Sequence, residues 1–212
     1  MEEILTERNY NFLEYWVKYL RTYVLYLLDK PIKNRKDLPF LLRIMNLSGE
    51  GAEIGVAWGG FSKILFDNSK LSKIYLIDPW MAQDGPNNDG LSRLTGEENN
   101  ERYLHVKSFF KNLGSRCEIM RMVSEEAAPK INDNSLDFVY IDGDHSYEAI
   151  KKDLSFWWPK VKVGGILSGH DYFDGGPLNF GVKSAVDAFI SSTGQKVLII
   201  DQQYPSWYIV KK

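Results

Sequence analysis

Alternation between strand-like and helix-like segments is the feature that most constrains the fold of this chain. From residue 52 onward, short apolar runs alternate with stretches whose apolar residues recur every three to four positions. The runs that predict strands span residues 52–56, 73–77, 117–122, 136–141, 165–168, 196–200 and 207–210. The patterns that predict helices span 61–68, about 96–113, 125–131, 147–158 and 182–191. Such alternation predicts an α/β fold, a mostly parallel sheet with helices on both faces.

The connections between these segments refine the prediction. Only residues 201–205 separate the last two strands, so we expect them to form an antiparallel hairpin at the end of the sheet. Thr95 and Glu98 form the capping-box pattern that predicts a helix beginning near residue 96. Residues 81–91 are rich in turn-forming residues and follow the carboxyl end of a strand. We therefore interpret this segment as a lid rather than as a plain surface loop.

A helical extension precedes the alternating region. Residues 4–28 carry apolar side chains at helical spacing, with more aromatic residues than one packed stripe needs, and a shorter helical pattern covers about 38–47. We expect residues 1–48 to pack on a domain formed by residues 49–212. A dimer surface, and hence a homo-oligomer, and a substrate cover are the alternatives. A membrane-surface helix fits less well, because few basic residues flank the apolar face.

Composition limits the partners and the compartment of the chain. Its 212 residues suffice for one full core, and its net charge of -2 argues against a nucleic-acid-binding face. The single cysteine, Cys117, excludes an intrachain disulfide and fits a reducing compartment. The acidic start shows no signal-peptide pattern, and no apolar stretch is long enough to span a bilayer. We therefore expect a cytoplasmic protein with no membrane span.

Carboxylate and imidazole side chains follow two of the predicted strands. The fourth strand stops at Asp142, with Asp144 and His145 just beyond it, and the fifth stops at His170 and Asp171. Ligands of open α/β sheets bind past the carboxyl ends of the strands, so we expect these groups to converge on one rim. Carboxylates and imidazoles suit a divalent metal, and a remaining imidazole suits a general base. Asp144 is better explained as the cap of the following helix.

A glycine-rich turn follows the first predicted strand. The sequence E-I-G-V-A-W-G-G at residues 53–60 departs from the G-x-G-x-x-G spacing of dinucleotide binders, and the large Trp58 makes the turn a poor phosphate cradle. About twenty residues further on, the second strand ends at Asp78, a carboxylate placed to accept both hydroxyls of a ribose. A nucleoside without phosphates therefore fits these two features better than NAD does.

Four motifs at the ends of predicted strands resemble the class I S-adenosylmethionine (SAM)-dependent methyltransferases. They are E-I-G-V-A-W-G-G-F-S at 53–62, I-D-P-W at 77–80, Y-I-D-G-D-H-S-Y at 140–147 and G-G-I-L-S-G-H-D-Y at 164–172. The likeness is to the small metal-dependent O-methyltransferases and covers roughly residues 51–212. It implies a Rossmann-like sheet of seven strands in the order 3-2-1-4-5-7-6, with the last strand antiparallel.

The resemblance also assigns residues to the cofactor. The residues it implies around SAM are Glu53, Gly55, Trp58, Gly60, Ser62, Asp78, Trp80, Ser124, Glu125 and Asp142. Within this set, Asp78 would hold the ribose, and Ser124 and Glu125 would border the adenine. Ser124 could also serve as a helix cap. Trp80 would either stack on the adenine or cap the core.

The resemblance further implies a metal and a base. Metal-dependent members of the family place ligands at positions matching Asp142, His170 and Asp171, which would here hold Mg²⁺ or Mn²⁺. In macrolide-sugar O-methyltransferases, a similar D-G-x-H run supplies a metal-binding aspartate and a histidine base, which implies His145 as the base. Those enzymes carry two acidic residues where this chain has His170 and Asp171, so a transition metal or a second base at His170 is an alternative. A metal-free site, in which His145 and Asp171 hold the acceptor, is a further alternative.

The predicted function is the metal-assisted transfer of a methyl group from SAM to a hydroxyl of a sugar, glycan or similar polyol. A catechol-like acceptor is one alternative, although catechol enzymes of this fold use a lysine base where this chain has His145, Ser146 and Tyr147. A non-catalytic cofactor-binding module of a glycan-building assembly is another, which the costly cluster of carboxylates disfavours. His105 has no motif around it and is interpreted as a packing or surface residue.

Overall fold

The computed structural model describes residues 11–81, 94–176 and 179–212. Its strands are β1 (Glu50–Ile54), β2 (Lys73–Ile77), β3 (Cys117–Met120), β4 (Leu136–Ile141), β5 (Val161–Gly169), β6 (Asp174–Gly175), β7 (Phe180–Gly181), β8 (Val197–Ile200) and β9 (Ser206–Val210). Its α-helices are α1 (Phe12–Leu27), α2 (Leu38–Ile44), α3 (Gly60–Asn68), α4 (Gly96–Phe109), α5 (Ser124–Ala127), α6 (Tyr147–Trp157) and α7 (Val182–Thr193).

The main sheet has the order β3-β2-β1-β4-β5-β9-β8. The pairs from β3 through β5 are parallel, whereas β9 runs antiparallel to both β5 and β8. The predicted α/β fold and the terminal hairpin are therefore confirmed. Counted among themselves, the seven strands follow the predicted order 3-2-1-4-5-7-6. The numbering differs because the two-residue strands β6 and β7, which form a small separate ribbon, were not predicted.

Apolar side chains fill both faces of the sheet. Val139 and Ile141 of β4 belong to a core built with α6 and α7, whereas Phe138 and Tyr140 belong to a core built with α2 and α3. Successive residues of a strand point to opposite faces, so a strand that is apolar on both sides contributes to both cores. This arrangement fixes β4 at the centre of the molecule, where its carboxyl end carries the candidate site.

Two helices are shorter than the sequence pattern predicts. The pattern at 125–131 becomes the four-residue helix α5 followed by a 3-10 helix at Ala128–Lys130, because Pro129 cannot donate the hydrogen bond that would continue the α-helix. The pattern at 96–113 becomes α4 followed by a 3-10 helix at Lys111–Arg116. The start of α4 is as predicted, with Thr95 and Glu98 forming a reciprocal capping box.

Two predicted segments lie wholly or partly outside the described residues. The predicted lid at 81–91 is described only at Met81, and the predicted helix at 4–28 only from residue 11 onward. In the latter segment, α1 begins after the capping box of Asn11 and Glu14. Among the described helices, none has both the length and the apolar character needed to cross a membrane.

Candidate active site

A cavity of about 650 Å³ opens at the carboxyl edge of the sheet. One end is bordered by the residues that follow β1 and β2, and the other by the residues that follow β4. Of the residues predicted to contact SAM, eight lie on its wall: Glu53, Gly55, Trp58, Gly60, Asp78, Ser124, Glu125 and Asp142. His145 lines the same cavity. The topology thus brings together motifs that are nearly a hundred residues apart in the chain.

The turn after β1 requires a glycine at position 55. Gly55 has φ +86°, and a Cβ atom there would lie 1.9 Å from the backbone oxygen of Asp142. The ends of β1 and β4 therefore approach too closely for any side chain at this position. This contact shapes the cavity, because it joins the glycine-rich turn directly to the strand that carries Asp142.

The carboxylate of Asp78 holds the glycine-rich turn in place. Its Oδ2 accepts hydrogen bonds from the backbone N–H groups of Val56 and Ala57 at 3.0 and 2.9 Å, and its Oδ1 accepts one from the N–H of Trp80 at 2.7 Å. A carboxylate offers about four acceptor positions. Asp78 lies on the cavity wall and so retains acceptor capacity for a ligand while it organises the turn.

Glu53 and Ser62 form a buried pair beneath the turn. Both side chains are buried, and the hydroxyl of Ser62 donates to Glu53 Oε2 at 2.6 Å. Burial raises the pKa of Glu53 from 4.5 to about 8, aided by the nearby negative charge of Asp142 and opposed by the hydrogen bond from Ser62. Glu53 is therefore protonated at neutral pH and lies where a cationic ligand group would change its ionisation.

The two tryptophans that follow β1 and β2 differ in exposure to the cavity. Trp58 lines the cavity, with its ring 5.4 Å from that of His105. Trp80 is 1% exposed, lies against Tyr103, and donates from Nε1 to the backbone oxygen of Ala57 at 2.9 Å. Stacking of Trp80 on an adenine, one of its two predicted roles, is therefore wrong, since the ring is enclosed in the core. His105 lies against both Trp58 and Phe109, which agrees with its interpretation as a packing residue.

Ser124 belongs to a polar group at the far side of the cavity. Its hydroxyl donates to Asp153 and accepts from Nε1 of Trp157 at 2.8 Å. Burial raises the pKa of Asp153 to about 6, against the effect of the Ser124 hydrogen bond. The cap position of α5 is Val123, so the predicted capping role of Ser124 is wrong. Ser124, Glu125 and Asp153 all line the cavity.

The loop after β4 is shaped by local hydrogen bonds. Asp144 Oδ1 accepts from the N–H of Ser146 at 2.8 Å, and Ser146 itself caps α6 by accepting from the N–H of Ala149. The predicted capping role of Asp144 is therefore wrong, because Asp144 lies two residues before the cap, Ser146. These contacts fix the residue between them, His145, on the cavity wall.

Asp142, His170 and Asp171 form a compact group in which one ligand atom from each lies within 4.8 Å of the others. Asp171 has φ +51°, an unusual conformation for a residue with a side chain, and its carboxylate is directed toward the group. Its buried Oδ1 accepts no hydrogen bond within the described residues, although His170 Nδ1 lies 3.2 Å away. Such a buried, unsatisfied oxygen is what a metal-binding position would show.

His145 Nε2 faces the same carboxylates. It lies 3.1 Å from Asp171 Oδ2 and 3.5 Å from Asp142 Oδ1, and the imidazole ring stacks on Phe180 with a centroid separation of 4.5 Å. Burial alone would raise the pKa of Asp142, but the His145 hydrogen bond and the charges of His170 and Arg35 hold it below its ordinary value. The predicted base is therefore adjacent to the predicted metal ligands and beside an ionised carboxylate.

Three residues of the site were missed by sequence reasoning. Arg35 Nη1 lies 3.2 Å from Asp142 Oδ2 and 3.3 Å from the hydroxyl of Tyr140, and it reaches the cavity from the segment before α2. Phe180 belongs to β7, which is too short to have a periodic signal. Asp153 is a charged residue within α6, and a charged residue in a helical pattern predicts a solvent-exposed position, although this one is buried. No sequence signal places Arg35 at the site, because its position depends on how the N-terminal segment packs.

Comparison with known proteins identifies the family and the fold. A family described as "Methyltransferase domain" matches residues 52–172. An uncharacterized protein, R132, of Acanthamoeba polyphaga mimivirus is 31% identical over 126 residues, which are 58% of this chain and 51% of that protein. The chain thus spans about half the length of this relative.

Solved structures share the fold at low sequence identity. An O-methyltransferase from Bacillus cereus in complex with SAH has a TM-score of 0.63 and 13% identity, covering 99% of this chain and 94% of that chain. The O-methyltransferase NovP has a TM-score of 0.57 and 15% identity, covering 94% and 98%. The fold is therefore that of the class I methyltransferases.

Proposed function

The chain belongs to the methyltransferase domain family, and on that premise we propose that it transfers the methyl group of SAM to a hydroxyl oxygen. The observation that carries the proposal is one cavity that joins Glu53 and the glycine-rich turn to Asp142 and His145. Such a cavity provides a cofactor end and a proton-accepting end side by side. The description of two neighbours as O-methyltransferases supports oxygen as the acceptor atom.

The cofactor end has groups that match the parts of SAM. Glu53 and Ser62 lie beneath the turn, where the ammonium group of the methionine part would be held. Asp78 would accept the ribose hydroxyls with the lone pairs that its backbone contacts leave free. Ser124 and Glu125 would border the adenine. SAM supplies the methyl group on a positively charged sulfur.

The other end has groups that handle the acceptor proton. In the transfer, the bond between oxygen and the methyl carbon forms as the sulfur–carbon bond breaks, and the neutral imidazole of His145 takes the hydroxyl proton on the ring nitrogen that does not donate to the carboxylates. Asp142 and Asp171 lie 3.5 and 3.1 Å from Nε2 and would stabilise the imidazolium that results. Phe180 holds the imidazole plane by stacking.

The group of Asp142, His170 and Asp171 fits a divalent cation. Two carboxylates and an imidazole are common ligands of Mn²⁺, and Asp171 Oδ1 lacks another partner within the described residues. A cation held there would lower the pKa of the acceptor hydroxyl. Because Nε2 of His145 lies close to both carboxylates, the base would also lie close to the acceptor hydroxyl bound at the cation.

We take a sugar or similar polyol as the acceptor class. The support is the D-G-x-H run at 142–145, which resembles that of macrolide-sugar O-methyltransferases. Phe180 adds an aromatic side chain to the cavity wall beside His145, a surface on which the C–H groups of a sugar ring could lie. A catechol would also stack there, and for this reason the test below includes both.

The test is transfer of a labelled methyl group from SAM to a panel of glycosides, polyols and catechols, with and without EDTA. The proposal expects labelled product from a glycoside or polyol, and loss of that product after chelation. Product from catechols alone would replace the acceptor class. Full activity after exhaustive chelation would remove the metal and leave the base-only mechanism.

Substitution of His145 tests the role of the base. We expect His145→Ala to lose roughly 100- to 10 000-fold in kcat while its affinity for SAH stays close to that of the parent, because proton removal belongs to the transition state. Asp144→Asn is the matched control, since the amide oxygen can keep the turn hydrogen bond to Ser146 in the same loop. Parent-like turnover of His145→Ala would refute its assignment as the base.

A further inference from the structure

Helix α1 turns an apolar face to the solvent. The opposite face packs on the domain: Thr22 is fully buried, and the ring of Tyr15 lies 5.1 Å from that of Phe40. Lys18 and Arg21 both form ion pairs with the buried carboxylate of Asp37. These contacts fix which side of α1 faces the domain, so the exposure of the other side follows from the packing.

The exposed face follows a heptad repeat. Leu13, Leu20 and Leu27 recur every seven residues, and Val17 and Val24 each follow a leucine by four positions. Their exposed fractions range from 52% to 72%. Placing valine at the a positions and leucine at the d positions is the combination that favours two-stranded coiled coils. We call the stripe formed by these five residues the seam. In this register Tyr15 and Thr22 fall at f positions, directly opposite the seam, which agrees with their contacts to the domain.

The seam is continuous with further exposed aromatic residues. Trp16 and Tyr23 flank it with exposed fractions of 44% and 43%. Together with the five seam residues they form one apolar stripe along α1, whereas exposed apolar residues on monomeric proteins are usually scattered singly.

We propose that α1 pairs with α1 of a second copy of this chain along the seam formed by Leu13, Val17, Leu20, Val24 and Leu27. A second copy is the occupant that the heptad favours, since it carries the same repeat. A membrane surface is disfavoured by charge: α1 has only two basic residues, Lys18 and Arg21, and Asp37 pairs with both.

The pairing would leave the candidate active site accessible. None of the five seam residues lines the cavity described above. Variants of the seam should therefore retain SAH binding, which separates a change in assembly from a loss of fold. It also makes this proposal independent of the proposed function, since an inactive protein would still dimerise.

The experiment is light scattering coupled to size-exclusion chromatography at tens of micromolar protein. We expect the parent to have twice its chain mass of 24.4 kDa. Leu20→Glu and Leu20→Lys should each be monomeric, because like charges would meet at the centre of the seam, and an equimolar mixture of the two should dimerise again. Val163→Glu is the control: Val163 is 72% exposed but lies on β5, so this variant should stay dimeric.

Two results would overturn the proposal. One is a parent that is monomeric at these concentrations, and cosedimentation of that monomer with phosphatidylserine vesicles would assign the apolar face to a membrane surface. The other is a pair of Leu20 variants that remain dimeric alone, or that stay monomeric when mixed, since either result means that the two positions do not face each other.

Discussion

Two carboxyl groups of the site, Glu53 and Asp142, have pKa values shifted in opposite directions. Glu53 lies against Ser62 in a dry environment, where burial raises its pKa to about 8. Asp142 is half-buried on the cavity wall, and His145, His170 and Arg35 hold its pKa below the ordinary value. At neutral pH the first is a neutral hydrogen-bonding group and the second an anion. Such a separation is typical of sites in which one carboxyl group binds and another supports proton transfer.

This difference predicts how stability depends on pH. Between about pH 4.5 and pH 8 the folded protein keeps a proton on Glu53 that the unfolded chain releases, so the free energy of unfolding should fall by up to about 5 kcal/mol as pH rises across this range. Glu53→Gln should remove most of this dependence, because an amide does not titrate. Urea unfolding of both proteins at several pH values measures it. A parent and variant with equal slopes would contradict the assignment.

A smaller slope should remain in Glu53→Gln. The pKa of Asp153 is raised to about 6 by burial, and it contributes in the same direction below that pH. The two contributions overlap below about pH 6, whereas only Glu53 contributes between about pH 6 and pH 8, so the slope in this upper range isolates Glu53.

Sequence reasoning placed Asp142, His145 and Asp171 correctly at the ends of strands, because a strand and the residue after it are adjacent in both chain and space. It could not place Arg35, whose contact with Asp142 spans more than a hundred residues of sequence. For Trp80 the sequence predicted the position but not the role. It left stacking on the adenine and packing in the core as alternatives, and only the contact of the ring with Tyr103 of α4 distinguishes them.

At the scale of elements, the junction between β1 and β4 is the most constrained part of the molecule. Gly55 combines a left-handed backbone with a close approach to the backbone of Asp142. Gly164 in β5 has a similar φ of +81° but nothing within 4 Å of the position of a Cβ. The two glycines therefore separate the effect of backbone conformation from the effect of contact.

We expect Gly55→Ala to be far more destabilising than Gly164→Ala. The strained conformation alone costs on the order of 1 kcal/mol, which both variants share. Gly55→Ala must in addition displace the end of β4, so its loss should exceed about 3 kcal/mol or prevent folding. Urea unfolding of both variants measures the difference. Equal losses would mean that β1 and β4 are not in contact at this point.

The alternation of strand and helix patterns predicted the main sheet because its long strands are predominantly apolar. Elements of two residues, such as β6 and β7, have no period to detect. Helix ends were less predictable where a proline interrupts the pattern, as Pro129 does after α5. The predicted division at residue 48 stays a prediction.

At the scale of the whole molecule, the cavity lies between two halves with different chemistry. The turn after β1 and the end of β2 provide backbone N–H groups, glycines and a buried carboxyl group. The end of β4 provides Asp142 and His145 to the cavity wall, and the end of β5 places His170 and Asp171 beside them, although neither of these two lines the cavity. The 3-10 helix Arg35–Asp37 contributes Arg35, which connects the N-terminal segment to this second half. A cofactor at the first half and an acceptor at the second would meet inside one cavity.

The measurement that tests this account most directly is calorimetric titration of the protein with SAH. We predict one molecule bound per chain, and binding about tenfold weaker or worse in Asp78→Asn, because a hydrogen bond to a charged group contributes about 1.5–3 kcal/mol. Circular dichroism of the variant checks its fold, since the single amide oxygen can replace only one of the two carboxylate oxygens that accept from the turn and from the N–H of Trp80. If the parent binds no SAH but binds NAD, the cavity is a dinucleotide site and the account is wrong.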